Sequence, residues 1–377
     1  MSSITPSPPA CRPGSCGNST LMPDIESFLL PVVSSIREAI KCIDRNRRGI
    51  ALLIDTNQRL VGTITDGDLR RGVLAGCELD HPVTTLLHGK PAQYAQVTTA
   101  PHGTAPEEMA RLMRKASIRH LPILDGDGHI VDLAMLDDPD AEPHLPLEAV
   151  IMAGGFGKRL APLTHTLPKP MLPVGDRPLL ELTIERLRKS GIHRVNVTTH
   201  YLSEKIADHF GDGKDFGIDL NYVTEEEPFG TAGALSLMDK PDQPLLVING
   251  DILTNVDFRA MLEFHRQHKA EATIGVRQYD LQVPYGVVDC EGADVTELRE
   301  KPTLNFLVNA GIYLLEPSVH ESIPRGRHFD MTDLVRHLMI KSRRVVSFPV
   351  LEYWLDIGQL KDYERAQIDH RKGRLVG

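Results

Sequence analysis

The amino-acid sequence predicts an α/β protein whose larger part is a doubly wound, mostly parallel sheet and whose front part is a small repeat. From residue 148 onward, short apolar runs alternate with helical patterns, as in sheets covered by helices on both faces. Residues 149–153 form a continuous apolar run that leads into glycines, which is typical of a buried parallel strand followed by a ligand-binding loop. Two segments near the front share one order of strands and turns, which indicates an internal repeat.

Composition narrows the classes of protein that the chain can belong to. At 377 residues, with 41% hydrophobic and 25% charged residues, it is long enough for two or three globular domains. The net charge of -9 argues against a nucleic-acid-binding protein, whose binding surface would be basic. No apolar run approaches the ~18 residues that cross a bilayer. We therefore expect neither a nucleic-acid partner nor a membrane partner.

Local composition also places the domain boundaries. Residues 1–20 are rich in Pro, Ser, Gly and Thr without the apolar segment of a signal peptide, which favours a disordered tail. Residues 139–147 are acidic and proline-rich and predict a linker between a front unit, 21–138, and a back unit, 148–377. The five cysteines form no Cys-x-x-Cys pair, which favours reduced thiols in a cytoplasmic protein.

The front unit contains two copies of a strand, turn and strand pattern, at residues 49–71 and 118–137. Each copy follows a segment with helical apolar spacing, at residues 35–44 and 105–116. This order resembles a tandem pair of CBS domains, small β-α modules that often bind adenosine nucleotides. The pairing of such modules implies a homodimer or a higher homo-oligomer.

The CBS resemblance implies a regulatory nucleotide site in the first copy. Gly62, Thr65 and Asp68 resemble the element in which the threonine meets phosphate and the aspartate accepts from ribose hydroxyls. The second copy lacks the hydroxyl residue in its corresponding stretch, 131–137. Two hypotheses therefore stay open: an adenosine nucleotide bound near Thr65 and Asp68, or a dimerising platform without a nucleotide.

The back unit opens with a glycine loop. Gly154, Gly155 and Gly157 remove the side chains that would hold a ligand away from the backbone. Free backbone N–H groups at the carboxyl end of a strand form an anion cradle. Two cations follow, Arg159 and Lys169, and prolines on both sides of Lys169 stiffen its backbone. The loop predicts a phosphate site with two positive side chains.

Two familiar glycine motifs do not fit this loop. A Walker A motif needs Ser or Thr after its lysine, and here Arg159 follows Lys158; a dinucleotide fingerprint needs a third glycine where Leu160 stands. The stretch instead resembles the signature of the sugar-1-phosphate nucleotidylyltransferases, Gly-Gly-x-Gly-x-Arg-Leu-x-Pro-Leu-Thr followed by Pro-Lys-Pro. The resemblance implies a Rossmann-like sheet that binds nucleotide over the carboxyl ends of its strands.

The elements that follow the loop support this layout. Periodicity and capping signals predict helices at 178–190, 203–210 and 360–367 and strands at 194–199, 220–224, 245–251 and 345–350. Ser203 is a candidate N-cap for the second of these helices.

The resemblance also assigns the nucleotide contacts. It implies that the glycine loop holds the triphosphate and that a second loop, with Gly230, closes over the base. The base acceptor lies five residues before that glycine, at Glu225. A carboxylate accepts but cannot donate, so it suits the N1–H and N2–H₂ donors of guanine better than the single N3–H of uracil or thymine. GTP is therefore the favoured nucleotide.

Metal and catalytic roles are carried over in the same way. Asp251 and Asp356 match the family's metal positions and supply the hard oxygen ligands that Mg²⁺ prefers, although an isolated Asn-Gly-Asp would more often be a turn. Arg159 is expected to stabilise the leaving pyrophosphate and Lys169 to bridge the two reacting phosphates. The residues that resemble the family's sugar-phosphate segments are Gly286, Glu300, Lys301 and Asn309.

These assignments predict nucleotidyl transfer from an NTP to a sugar 1-phosphate. A CBS pair in front of such a domain most resembles the glucosamine-1-phosphate guanylyltransferases of legionaminic acid biosynthesis. Mannose- or heptose-1-phosphate guanylyltransferases and glucose-1-phosphate uridylyl- or thymidylyltransferases are the alternatives. A sugar-nucleotide sensor that acts through the CBS pair without turnover is the alternative from another class.

Overall fold

The computed structural model describes residues 25–46, 48–90, 92–94, 96–136 and 144–375. The chain divides into two compact units, with the main division between Leu136 and Asp137. The predicted tail at 1–20 and residues 139–143 of the predicted linker lie outside the described residues.

The front unit contains two small sheets of the same topology. Its elements are β1 (Leu29–Pro31), α1 (Ile36–Asn46), β2 (Ile50–Ile54), β3 (Leu60–Thr65), α2 (Asp66–Leu74), α3 (Thr85–His88), β4 (Ala100–Pro101), α4 (Pro106–Ala116), β5 (His120–Leu124) and β6 (Ile130–Met135). The sheets have the orders β1-β2-β3 and β4-β5-β6. In each sheet the first two strands are parallel and the last two antiparallel, which confirms the predicted repeat.

The back unit begins with β7 and contains the larger sheet. Its elements are β7 (Glu148–Met152), β8 (Pro173–Val174), β9 (Arg177–Pro178), α5 (Leu179–Lys189), β10 (Arg194–Thr199), α6 (Ser203–Phe210), β11 (Asp219–Thr224), α7 (Gly230–Gly233), β12 (Leu245–Asn249), β13 (Ile252–Thr254), α8 (Phe258–Gln267), β14 (Ala272–Gln282), β15 (Val287–Glu291), β16 (Asp294–Arg299), β17 (Thr303–Leu315), α9 (Met331–Ile340), β18 (Val345–Pro349), β19 (Trp354–Asp356) and α10 (Leu360–Arg371).

Seven strands form this sheet in the order β11-β10-β7-β12-β17-β14-β18. Only β17 runs against its neighbours β12 and β14, whereas the other neighbouring pairs are parallel. Both faces of the sheet are buried. Ala149 and Ile151 of β7 pack with Ile184 of α5, and Val150 packs on the opposite face with Leu334 of α9. The continuous apolar runs of these strands follow from burial on both faces, and the predicted doubly wound, mostly parallel sheet is confirmed.

The sheet topology sets the place of the site. From β7 the chain adds β10 and β11 on one side and then returns to add β12 on the other side. Loops that leave neighbouring strands in opposite directions open a crevice at such a switch point. The glycine loop after β7 and the Asn-Gly-Asp segment after β12 meet there.

One local prediction was wrong in detail. The N-cap of α6 is Leu202, in the left-handed region with a φ of 51°, and Ser203 is already helical. Asp356 follows β18 in the chain and lies in a further short strand, β19, that pairs with β13. In the part of the chain that the structure describes, no helix combines the length and apolar character needed to cross a membrane.

Candidate active site

A cavity of about 440 Å³ opens at the switch point between β7 and β12. The predicted site residues that line it are Gly154, Gly155, Gly157, Arg159, Lys169, Glu225, Gly230 and Asp251. The lining does not include Asp356 or the predicted sugar-phosphate residues Gly286, Glu300, Lys301 and Asn309. The tertiary structure therefore brings the predicted nucleotide residues, both cations and one predicted metal ligand into one cavity.

The three loop glycines meet different neighbours. Gly157 has a φ of 65°, and a Cβ there would lie 2.8 Å from Cγ2 of Thr164 and 3.2 Å from Cβ of Lys169. A Cβ at Gly154 would lie 2.8 Å from Oε1 of Glu225. At Gly155, no heavy atom of the described residues lies within 4 Å of such a Cβ. Close packing explains why a residue without a side chain stands at positions 157 and 154, whereas Gly155 borders open space at the cavity wall.

The two cations approach the loop from different sides. Lys169 begins a short 3-10 helix, Lys169–Met171, and its side chain is only 12% exposed. Its Nζ lies 2.5 Å from Oδ2 of Asp251. Arg159 is exposed in a second 3-10 helix, Lys158–Leu160. The side chains of Arg159 and Asp356 both border Gly358. A Cβ on that glycine would lie 3.7 Å from Nη1 of Arg159 and 3.5 Å from Oδ1 of Asp356.

The two predicted metal ligands lie side by side. Asp251 directly precedes β13, and Ile252 of that strand pairs with Asp356. The backbone amide of Ile357 also donates to the carbonyl oxygen of Asp251 at 3.0 Å. Although the side chain of Asp356 reaches solvent, desolvation and then the negative charge of Asp251 raise its pKa.

This arrangement fits a divalent cation. The positive charges of Lys169 and Arg159 offset part of this rise in the pKa of Asp356, because they counteract its repulsion from Asp251. A divalent cation between the two carboxylates would relieve that repulsion further. Two aspartates supply hard oxygen ligands and leave other coordination positions to water and phosphate, as Mg²⁺ requires.

A buried carboxylate, that of Glu225, lines the cavity where the base is predicted to bind. Glu225 is 7% exposed, and its Oε2 accepts from the backbone amide of Phe229 at 2.9 Å. Burial raises the pKa of Glu225, against the effects of this hydrogen bond and of the nearby His200 and His328. Nδ1 of His200 lies 2.8 Å from the Glu225 carbonyl oxygen, where an Nδ1–H can donate.

Asp330 holds the loop that carries Gly230. Its Oδ1 accepts from the backbone amide of Thr231 at 3.0 Å, and the Thr231 hydroxyl accepts from the amide of Met331 at 2.9 Å. The backbone amide of Phe329 donates to the carbonyl of Phe229 at 2.7 Å. A Cβ on Gly230, whose φ is 81°, would lie 2.7 Å from Oδ1 of Asp330. The start of α9 therefore fixes the position of the loop that carries Gly230.

Of the predicted sugar-phosphate residues, Asn309 lies in β17, Glu300 and Lys301 lie between β16 and β17, and Gly286 lies directly before β15. A Cβ at Gly286 would lie 3.1 Å from Oε2 of Glu300, so these two residues are neighbours. Lys301 has a positive φ of 45°. Asn309 is engaged at both ends of its carboxamide: Nδ2 donates to the Tyr313 hydroxyl at 2.6 Å and Oδ1 accepts from the amide of Gly311 at 3.0 Å.

In the front unit, the Asp68 carboxylate is surrounded by donors. Its Oδ2 accepts from the backbone amide and the hydroxyl of Thr65, both at 2.8 Å, and lies 3.1 Å from Nζ of Lys90. Its Oδ1 lies 2.5 Å from Nη2 of Arg71. Asp68 is 5% exposed. A ribose hydroxyl would therefore have to displace one of these partners.

Asp125, Asp127 and His129 bring three potential metal ligands together in the turn between β5 and β6. Oδ1 of Asp125 accepts from the backbone amides of Asp127 and His129, each at 2.9 Å. These hydrogen bonds are those of an Asx turn, which accounts for the cluster without an ion.

Sequence reasoning missed several residues that line the cavity. They are Phe156, His200, Asn249, Thr231 and Asp330. His200 directly follows β10 and Asn249 ends β12, so the rule that ligands bind at the carboxyl ends of strands could have found both. Asp330 carries only a capping signal, and its role depends on contact with a loop distant in the chain.

Comparisons with known proteins agree with this geometry. The Nucleotidyl transferase family model matches residues 148–373, more than half of the chain, and the CBS domain model matches residues 25–75 and 95–138. The mannose-1-phosphate guanyltransferase of Pichia angusta is 34% identical over 228 residues, which cover 58% of this chain and 62% of that protein. The mannose-1-phosphate guanylyltransferase of Mycobacterium tuberculosis is 32% identical over 235 residues, which cover 60% and 65%.

The chain thus spans less than two thirds of the length of these curated relatives. Among solved structures, HddC from Yersinia pseudotuberculosis complexed with GMP-PN is 26% identical, with a TM-score of 0.46, over 59% of this chain and 99% of that chain. Because the family match covers more than half of the chain, the chain belongs to the nucleotidyl transferase family, and it carries CBS domains ahead of its transferase domain.

Proposed function

We propose that this protein transfers a guanylyl group from GTP to a sugar 1-phosphate and releases pyrophosphate. The observation that carries the proposal is the assembly in one cavity of a glycine loop, the cations Arg159 and Lys169, and Asp251. Such a set suits a triphosphate with its metal ion. The Nucleotidyl transferase family match and the names of the relatives support the same reaction class.

The reaction follows from the charges of the site. A phosphate oxygen of the sugar 1-phosphate forms a bond to the α-phosphorus, the bond from that phosphorus to the bridging oxygen breaks, and its electron pair leaves with pyrophosphate. Lys169 neutralises the two phosphates that meet, and Arg159 stabilises the leaving group. Mg²⁺, when held by Asp251 and Asp356, supplies further positive charge to the triphosphate.

Glu225 supports GTP as the nucleotide. Its carboxylate lies at the glycine loop, beside Gly154, and its backbone is held by His200. An ionised carboxylate accepts two hydrogen bonds side by side, which matches the two donors on the guanine edge.

Two acceptor sugars are supported, each by a different observation. Glucosamine 1-phosphate is the acceptor that the domain arrangement favours, and mannose 1-phosphate is the alternative that the named relatives favour. In either case, Glu300 and Asn309 would bind ring hydroxyls, while Lys301 and the backbone at Gly286 would hold the sugar phosphate.

A pyrophosphate-release assay tests this function. The full chain is incubated with Mg²⁺, each of the four NTPs and a panel of hexose 1-phosphates that includes glucosamine and mannose 1-phosphate. We expect release with GTP and one of these sugars, and loss of release in Asp251→Asn. Nucleotide binding without pyrophosphate from any pair would instead support the sensor alternative.

The regulatory and platform hypotheses for the front unit make different predictions. If an adenosine nucleotide binds at Thr65 and Asp68, calorimetry with AMP and the full chain should show binding that Asp68→Ala removes. Absence of AMP binding would support a platform, for which we propose a homodimer or higher homo-oligomer. Sedimentation velocity with and without AMP measures the oligomeric state in both cases.

A further inference from the structure

We infer that Asn249 binds a substrate hydroxyl group in the transferase cavity, an inference that rests on the proposed function. Asn249 is the last residue of β12, two positions before Asp251, and it lines the cavity. Its Oδ1 is buried and has no hydrogen-bond partner among the described residues. Such an acceptor lowers the stability of the free protein, since it has lost water and gained nothing in exchange.

The neighbouring strand leaves room for this carboxamide. Gly311 of β17 has a φ of 69°, and a Cβ there would lie 2.6 Å from Nδ2 and 3.0 Å from Cγ of Asn249. Any other residue at position 311 would collide with the amide. The backbone amide of Gly311 is itself used by Oδ1 of Asn309, so it is not available to Asn249.

The two asparagines differ in their partners in the free protein. Asn309 has a protein partner at each end of its carboxamide, which a ligand hydroxyl would have to displace, whereas the Asn249 acceptor has none among the described residues. Oδ1 of Asn249 is enclosed by protein atoms in the free protein, whereas Asn249 as a residue lines the cavity. A rotation of the carboxamide would turn this acceptor toward the cavity, where a ligand can complete it.

The missing partner must be a hydrogen-bond donor. Phosphate oxygens of NTP and sugar phosphate carry few protons at neutral pH and mainly accept, so they do not satisfy Oδ1. Hydroxyl groups donate and accept, and they are present on the ribose of the nucleotide and on the sugar ring. The N–H donors of guanine are matched by Glu225 in the proposed function, and the amino group of glucosamine 1-phosphate is absent from mannose 1-phosphate. The donor that all candidate substrates share is a hydroxyl, on the ribose or on the sugar ring.

The test compares Asn249→Ala and the near-isosteric Asn249→Leu with the wild type, using the substrate pair found active in the release assay. We expect KM for one substrate to rise about tenfold, the change expected from one lost hydrogen bond, with a smaller change in kcat. A rise in KM for the sugar 1-phosphate identifies a ring hydroxyl. A rise in KM for GTP, with lost discrimination against 2′- or 3′-deoxy-GTP, identifies the ribose.

The melting temperature separates binding from structure. The free protein loses no hydrogen bond of Oδ1 in either variant, so its melting temperature should not fall. Asn196 is the matched control, because it is buried on β10, two strands from β12 in the same sheet, and its Nδ2 donates to Oε1 of Glu148 at 2.6 Å. Asn196→Ala should lower the melting temperature and leave both KM values unchanged.

The results separate the role of Asn249 from the proposed function of the protein. If both Asn249 variants melt lower, as Asn196→Ala is expected to do, and keep both KM values, Asn249 is structural and the inference is wrong. If the wild type releases no pyrophosphate with any pair, the proposed function fails and this inference fails with it.

Discussion

Nζ of Lys169 lies 2.5 Å from Oδ2 of Asp251 at the wall of the cavity. The cation expected to act on phosphate thus neutralises the carboxylate expected to bind the metal ion. The two side chains are only 12% and 24% exposed, so solvent screens their attraction less than that of a surface pair. Binding of a metal-nucleotide complex would therefore exchange this ion pair for two separate interactions with the ligand.

Lys169→Ala is expected to change metal binding and turnover in opposite directions. Without nucleotide, Mn²⁺ should bind more tightly than to the wild type, because Asp251 no longer has a competing cation. Turnover should fall ~10²–10³-fold, as when one donor to a transition-state charge is removed. Electron paramagnetic resonance measures free Mn²⁺, and the release assay measures turnover.

Lys214→Ala is the matched control for this variant. Lys214 makes an ion pair of the same length, 2.5 Å, with Asp212, but on an exposed surface. Lys214→Ala should change neither the Mn²⁺ affinity nor the turnover. Weaker Mn²⁺ binding in Lys169→Ala would show that Lys169 supports the metal site rather than competing for it.

Glu225→Gln is expected to change the pH dependence of stability. Burial raises the pKa of Glu225, so the folded wild type holds this proton over a pH range in which the unfolded chain has lost it. Its stability therefore falls as pH rises through the raised pKa. The neutral glutamine avoids this loss and keeps an acceptor for the Phe229 amide. Thermal unfolding should show the variant more stable than the wild type at neutral pH, with a difference that shrinks in acid.

The same variant tests the choice of base. Glutamine offers one acceptor and one donor group, which match N3–H and O4 of uracil better than the two donors of guanine. Relative kcat/KM should therefore shift from GTP toward UTP. An unchanged preference for GTP would remove Glu225 from base recognition.

Asp330→Ala is expected to weaken nucleotide binding through the loop that carries Gly230. Asp330 accepts from Thr231 and caps α9, so its loss should raise KM for the NTP more than KM for the sugar 1-phosphate. Asp257 is a comparable N-cap, of α8, with acceptor contacts to Arg259 and Ala260. Both variants should lose about 1 kcal/mol of stability. If the Asp330 and Asp257 variants had the same KM values for the NTP and for the sugar 1-phosphate, Asp330 would act only as a helix cap.

Two glycine variants separate packing from ligand contact in the loop. Gly157→Ala places a methyl group against Thr164 at a φ of 65° and should lower both the melting temperature and NTP affinity. Gly155→Ala meets no described protein atom within 4 Å. It should keep the melting temperature and raise KM for the NTP, because the methyl group enters the space of the triphosphate. A normal KM in Gly155→Ala would show that the ligand does not approach that residue.

Local pattern was sufficient to locate the helices and strands that were predicted in the back unit. The predicted bounds of β10 and α6 agree with the structure, at Arg194–Thr199 and Ser203–Phe210, because apolar periodicity reflects which face each element buries. The cap of α6 was wrong, since Leu202 takes a left-handed conformation that no local signal favours.

The sequence by itself determined the repeat in the front unit, the mostly parallel sheet and the glycine loop with its two cations. These properties depend on residue types within one turn, helix or strand. The tertiary structure decided that Lys169 pairs with Asp251, that Asp330 holds the loop with Gly230 and that Oδ1 of Asn249 has no partner among the described residues. Those contacts join residues far apart in the chain, and only the packing of the whole sheet determines which of them meet.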